Sequence, residues 1–207
     1  MHIKRCFEQK IIQLCHLILH YSLPGSNVEN IVRYFSDKPD FHFPIIVSNK
    51  ADAFVHQRAK ALHIPSFTCS KEDFSNGHVI VSLLKEYQVD FVVLAGFLLK
   101  VSPTIIDAFP NKIINIHPAL LPKFGGKGMY GQHVHHAVIE SGETQSGITI
   151  HYVNAHYDAG NIIFQAVCDV LPEDTPDILA EKIHALEYEH FPLIIERLAS
   201  TLFTQAD

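Results

Sequence analysis

Short apolar runs alternate along this chain with segments whose apolar residues recur every three or four positions. Residues 43–47 form a compact apolar run closed by Ser48 and Asn49, and residues 91–95 form another. Continuous, partly β-branched runs of this length fit strands covered on both faces of a parallel sheet. Residues 113–116 and 162–167 read as further strands. Ile148, Ile150 and Tyr152 alternate with Thr149 and His151, the period of a half-buried strand. Residues 14–19 can supply a first strand, although His16 and His20 fit a buried strand poorly.

Helical spacing fills the intervals. Val28, Ile31, Val32 and Phe35 mark one amphipathic helix. Residues 52–62 read as a second, stopped by Ile64-Pro65. Val79, Ile80, Leu83, Leu84 and Tyr87 mark a third. Pro103 suits the first turn of a helix carrying Ile105, Ile106 and Phe109. Residues 134–139 form a short helix. Thr175-Pro176 opens a last one, which passes Glu187 and is kinked or broken near Pro192. Residues 123–132 contain Gly125, Gly126, Gly128 and Gly131 and read as a long mobile loop. This βα repetition predicts an α/β fold: an open, mostly parallel, Rossmann-like sheet with helices on both faces. No repeat, low-complexity tract or linker divides the 207 residues, so a single domain is expected.

Composition narrows the function classes. Hydrophobic residues make up 47% and charged residues 18%, which excludes a disordered chain. The formal net charge of -6, with 15 histidines counted neutral, argues against a broad nucleic-acid surface. No apolar run is long enough to span a membrane. Residues 11–19 are apolar-rich and follow Lys4, Arg5 and Lys10, but Gln13, His16 and His20 interrupt any signal-peptide pattern. The cysteines, Cys6, Cys15, Cys69 and Cys168, are scattered without a C-x-x-C pair, as in a reduced cytoplasmic protein.

Candidate chemistry gathers at the predicted strand ends, where open α/β sheets bind ligands. Asn115 and His117 are two residues apart at the end of one strand, so their side chains share a face. An amide donor beside a titratable donor suits stabilising a developing oxyanion. Residues 95–98 end a neighbouring strand, and a loop over residues 154–160 carries Asp158. Alone, His117 reads as a structural histidine and Asp158 as a turn former. His133, His135 and His136 lack the carboxylate or cysteine frame of a metal site, so no metal is expected.

Four separated segments carry a resemblance: SNKADA at 48–53, VVLAGFLL at 92–99, NIHPALLP at 115–122 and HYVNAHYDAGNIIFQ at 151–165. In this order they resemble the folate-dependent formyltransferases, and most closely the branch that formylates glycinamide ribonucleotide in purine synthesis. The resemblance covers roughly residues 25–198. It implies transfer of a formyl group from 10-formyltetrahydrofolate to an amine, without a metal. Asn115 would hold the formyl oxygen, protonated His117 would donate to the oxyanion, and Asp158 would raise the His117 pKa and position a water. It further implies folate contacts from Leu98, Leu99, Lys100, Val101, Asn115, Asn154 and Asp158. Gly25, Ser26 and Asn27 would bind the acceptor's phosphate at a helix start, and Glu187 would meet its amino end. Ser26 or Asn27 would equally serve as an N-cap. A monomer and a homodimer are both open.

The first 24 residues depart from the pattern and are set apart as a divergent segment from a formyltransferase domain at 25–207. Where the family reads S-G-x-G-S-N, this chain reads Ser22-Leu23-Pro24-Gly25-Ser26-Asn27. Leu23 is strained if its φ is positive, and Pro24 removes an N–H that would face phosphate. Genuine divergence with weakened phosphate binding and an upstream reading-frame shift are the two explanations, separable by resequencing the gene. The chain ends soon after its last helix, which disfavours a methionyl-tRNA formyltransferase with its added C-terminal domain. A formyltetrahydrofolate hydrolase and a non-catalytic folate-binding remnant are the alternatives.

Overall fold

The computed structural model describes residues 12–18 and 26–204, with side chains for residues 27–201. The expectations on Leu23, Pro24 and Gly25 lie outside the described residues. In chain order the elements are β1 (Ile12–Ile18), α1 (Ser26–Tyr34), β2 (Phe41–Ser48), α2 (Val55–Ala61), β3 (Ser66–Thr68), α3 (Lys71–Asn76) and α4 (His78–Glu86). There follow β4 (Phe91–Ala95), α5 (Pro103–Ala108), β5 (Ile113–His117), α6 (Gln132–Glu140), β6 (Gln145–Tyr152), β7 (Ile162–Asp169) and α7 (Pro176–Thr204). The strands form one sheet in the order β3-β2-β1-β4-β5-β6-β7. The first five are mutually parallel; β6 runs antiparallel to β5, and β7 antiparallel to β6, back in the direction of the first five. β1 is an interior strand, between β2 and β4, and β4 is the middle strand of the seven.

Strand alternation sorts the core onto two faces. Phe91, Val93 and Ala95 of β4 pack with Ile31 and Phe35 of α1, Val134 and Val138 of α6 and Phe191 and Ile195 of α7. Val92 and Leu94 face the opposite side, toward Phe74, Ile80, Leu84 and Ile105. Each fully buried side chain of this kind contributes about 1.5–3 kcal/mol. β2 carries Pro44 inside the sheet, where a missing N–H would break a ladder. The ladder accommodates it with a bulge: β1 advances from Gln13 to Cys15 while β2 advances from His42 to Ile45.

Several expectations need correction. The helix expected over 52–62 begins at Val55, because Phe54 is the capping residue. The missed α3 begins with a capping box, Ser70 and Asp73 each accepting the other's backbone N–H. Its end at Gly77 needs φ +81°, and the same glycine opens α4. β6 is buried on both faces, not half-buried: Thr149 and His151 are as enclosed as Ile148 and Ile150. α7 continues through Pro192 without a break. Proline there removes the N–H that would bond Tyr188 O, and that carbonyl accepts from Asn30 Nδ2 at 3.0 Å instead.

The sheet order reverses direction between β1 and β4, the switch point where α/β sheets open a crevice. α1 begins beyond β1 on one side, and the ends of β4 and β5 lie on the other.

Candidate active site

On β5, Ile114 and Ile116 join the core formed with α1, α6 and α7, while Ile113 faces the opposite core. Asn115 and His117 therefore share the face of Ile113, as the two-residue spacing requires. Across the antiparallel β5–β6 pair, Asn115 lies opposite His151 and His117 opposite Thr149. Thr149 Oγ1 donates to Ala119 O at 2.7 Å and accepts from Leu121 N at 3.0 Å, tying the segment after His117 to β6.

Hydrogen bonds and two longer contacts to Asp158 gather these side chains into one cluster. His117 Nε2–H donates to Phe124 O at 2.8 Å. The carbonyl can only accept, so Nε2 holds the proton and Nδ1 is the free edge. That edge faces Asp158 Oδ2 at 3.6 Å. His151 Nδ1–H donates to Tyr152 O at 2.8 Å. His151 Nε2 then accepts from Asn115 Nδ2, 3.2 Å away, which fixes the amide and leaves its second N–H without an acceptor among the described residues. The same His151 Nε2 lies 3.7 Å from Asp158 Oδ1. Asn115 Oδ1 is buried with no hydrogen-bond partner among the described residues.

The electrostatics add an opposing effect to the expected influence of Asp158. Burial pushes the His117 pKa down; Asp158 and the Phe124 carbonyl push it up, and His151 lowers it again. Asp158 raises it as expected, but burial prevails, so the resting imidazole lies below its ordinary value. Burial also opposes ionisation of Asp158, yet His151, His117 and the Gly126 N–H together hold its carboxyl below the usual carboxylate range. The resting pair at neutral pH is thus a neutral imidazole beside a carboxylate.

Two loops hold this pair. Asp158 sits at φ +49°, a left-handed conformation that aspartate tolerates better than most residues. A Cβ on Gly160 would lie 1.7 Å from Tyr152 O, so only glycine closes this loop. From the glycine-rich loop, Gly126 N–H donates to Asp158 Oδ2 at 2.9 Å. Residues 124–126 therefore accept from His117 and donate to Asp158 within three positions.

The cluster opens into a cleft lined by apolar Leu94, Phe97, Leu99, Val101 and Val153 and by Lys100, Asn115, His151, Asn154, His156, Tyr157 and Asp158. Of the expected folate contacts, Leu99, Lys100, Val101, Asn115, Asn154 and Asp158 line it. Leu98 does not. Asn154 shapes the loop, donating to Ala159 O at 3.0 Å and accepting from His156 N at 2.9 Å. Sequence reasoning missed Phe97 and His151. The polar positions of β6, alternating with buried isoleucines, held the signal for His151.

At the other side of the switch point, Asn27 Nδ2 donates to Glu187 Oε2 at 2.9 Å, joining two of the expected acceptor residues. Burial raises the Glu187 pKa to about 7, with the Asn27 hydrogen bond opposing it. Ser26 begins α1, but its side chain and Gly25 lie outside the described residues. Of the histidine trio, His135 is buried while His133 and His136 point outward. Among the described residues no group of three or more His, Cys, Asp or Glu is placed to hold a metal, and no helix is long and apolar enough to cross a membrane.

Comparison with known proteins agrees with this geometry. The family model described as "Formyl transferase" matches residues 17–195. The chain is 44% identical over 172 residues to the chloroplastic phosphoribosylglycinamide formyltransferase of Arabidopsis thaliana, covering 80% of this chain and 58% of that one. The chain thus spans little more than half of that relative, and 57% of the corresponding Vigna unguiculata protein. It is 36% identical over 179 residues to the Bacillus subtilis phosphoribosylglycinamide formyltransferase, covering 84% of this chain and 89% of that one. Among solved structures, the Streptococcus pneumoniae TIGR4 phosphoribosylglycinamide formyltransferase superposes with a TM-score of 0.79 at 33% identity, covering 91% of this chain and 99% of that one. Glycinamide ribonucleotide transformylase 1 from Symbiobacterium toebii does so with a TM-score of 0.82 at 31% identity, over 92% of this chain and 89% of that one. A shared sheet and matches over most of the chain lead to one conclusion: this chain belongs to the phosphoribosylglycinamide formyltransferase family.

Proposed function

We propose that this chain transfers the formyl group of 10-formyltetrahydrofolate to the amine of glycinamide ribonucleotide, a step of purine biosynthesis. The observation that carries the reading is that Asn115 and Asp158 line the cleft beside its apolar wall, with the buried His117 behind them and its Nδ1 3.6 Å from Asp158 Oδ2. Apolar walls from Leu94, Phe97, Leu99 and Val101 suit one face of a flat pterin. Asn115 uses its second N–H to hold the formyl oxygen, while His151 fixes the amide. The resting His117 is neutral with Nδ1 free, so it takes the proton that the attacking amine loses. The imidazolium then turns its Nδ1–H to the tetrahedral oxyanion, while the Asp158 carboxylate beside the same edge balances its charge. Asp158 holds the water through which this proton passes to N10 of the folate as the C–N10 bond breaks. The products are the formylated amine and tetrahydrofolate.

Glu187 receives the amino end of the acceptor, and the start of α1, with Gly25, Ser26 and Asn27, its phosphate. We read residues 25–207 as the formyltransferase domain, with the divergent segment before it contributing β1. The reaction needs no metal, no nucleic acid and no membrane, and it suits a reducing cytoplasmic compartment.

The test is an assay of folate release from 10-formyltetrahydrofolate with and without glycinamide ribonucleotide. Turnover that depends on the acceptor supports the transferase. Equal turnover in water alone means a hydrolase, and binding without turnover means a remnant.

A further inference from the structure

The seam between α1 and α7 is organised around a carbonyl that proline leaves free. Inside α7, Pro192 has no N–H to return to Tyr188 O four residues earlier. Asn30 Nδ2, on α1, donates to that oxygen at 3.0 Å. One residue before Tyr188, Glu187 accepts from Asn27 Nδ2 at 2.9 Å. Further along, the Tyr34 hydroxyl and the Lys38 ammonium both reach Glu196, Lys38 at 2.6 Å. Residues 27, 30 and 34 recur at three and four positions, so they share one face of α1. Beside them, Ile31 and Phe35 share a core with Phe191 and Ile195.

The apolar part of this contact is non-directional and tolerates sliding. The polar part is directional. Among its bonds, only that of Asn30 ends on backbone: a short side chain meets a carbonyl that cannot move without its helix. Lys38, by contrast, reaches Glu196 with a long flexible side chain. The proline makes the site, because an ordinary residue at 192 would occupy the Tyr188 carbonyl from within α7.

We propose that Asn30 is a positioning residue for the acceptor: by filling the carbonyl freed by Pro192, it fixes the register of α1 against α7 and so sets Asn27 and Glu187 relative to one another. This rests on the reading of Asn27 and Glu187 as the acceptor end. Asn30 itself touches no substrate.

Three variants test it: Asn30→Ala, Pro192→Ala and the pair together. Asn30→Ala is expected to raise the KM for glycinamide ribonucleotide about three- to tenfold, the worth of one hydrogen bond, with kcat and the KM for 10-formyltetrahydrofolate unchanged. In the double variant the N–H of residue 192 satisfies Tyr188 O from within the helix, so the melting temperature recovers while the acceptor KM stays raised. If the acceptor KM recovers together with the melting temperature, Asn30 only satisfies a carbonyl and the proposal fails. An Asn30→Ala enzyme with the wild-type acceptor KM also rejects it, leaving the functional reading intact. Wild-type protein without acceptor-dependent turnover removes that reading and this proposal together.

Discussion

At His117, burial and charge pull in opposite directions. Burial wins in the resting site, Asp158 and the Phe124 carbonyl resist it, and Nδ1 is left free to gain a proton. Two outcomes follow at this scale. His117→Ala should cut turnover by about 10²–10³, the usual cost of one oxyanion donor, while folate binding by titration holds; equal loss of both refutes the assigned role. Asp158→Asn removes an influence that raises the His117 pKa. The proposed mechanism needs neutral His117, so the acid limb of kcat/KM against pH should move to lower pH as the maximum rate falls. A limb that stays put or moves upward contradicts the proposed coupling. The sequence made Asn115, His117 and Asp158 legible, because spacing and motif order are written along the chain. The net direction of the His117 shift was not, because it depends on how many atoms from distant segments exclude water.

The elements show why some partners stayed hidden. His151 follows from strand alternation only once β6 is known to run antiparallel to β5 in the register that sets it against Asn115. Its strand was expected to expose one face; that face instead forms the floor of the cluster. The loop over 125–131 reads as mobile from its glycines, yet residues 124–126 grip His117 and Asp158. A Cβ on Gly125 would come within 2.5 Å of Leu121 Cδ2 and 3.3 Å of Asp158 Cβ. Gly125→Ala should therefore displace the Phe124 carbonyl and the Gly126 N–H and lower kcat about tenfold, since small misplacements cost this much or more. Steady-state kinetics beside a thermal melt check it: the melt should barely change, and an unaltered kcat would show that the grip is not needed.

Over the whole molecule, buried ionisable groups give opposing pH dependences. Glu187 has its pKa raised to about 7 from 4.5, so the stability it contributes is complete below about 4.5 and is lost as pH rises through 7. His135 is lowered from 6.5 to about 4 by burial, with His184, His136 and His117 adding to the effect and Asp177 opposing it. Its unfolded form binds the extra proton, so stability falls as pH drops from about 6.5 toward 4. Glu187→Gln should gain on wild type in urea denaturation between pH 5 and pH 7, by up to about 1.4 kcal/mol per pH unit. His135→Leu should lose less stability than wild type over the same interval on acidification. Parallel curves for either variant would show that the group titrates as it does in the unfolded chain.

The sequence by itself determined the α/β class, the main strands and helices and the Asn115–His117 pair. Those follow from local periodicity and from residues close together in the chain. Only the tertiary structure decided that α7 passes through Pro192, that Asn30 takes the carbonyl released there, and that His151 and residues 124–126 hold Asn115, His117 and Asp158 in place. Each of these joins segments far apart in sequence: 158 residues separate Asn30 from Tyr188, and 32 separate Gly126 from Asp158. A hydrogen bond across such a distance has no local pattern to announce it, and it forms only when the sheet has brought its two ends together.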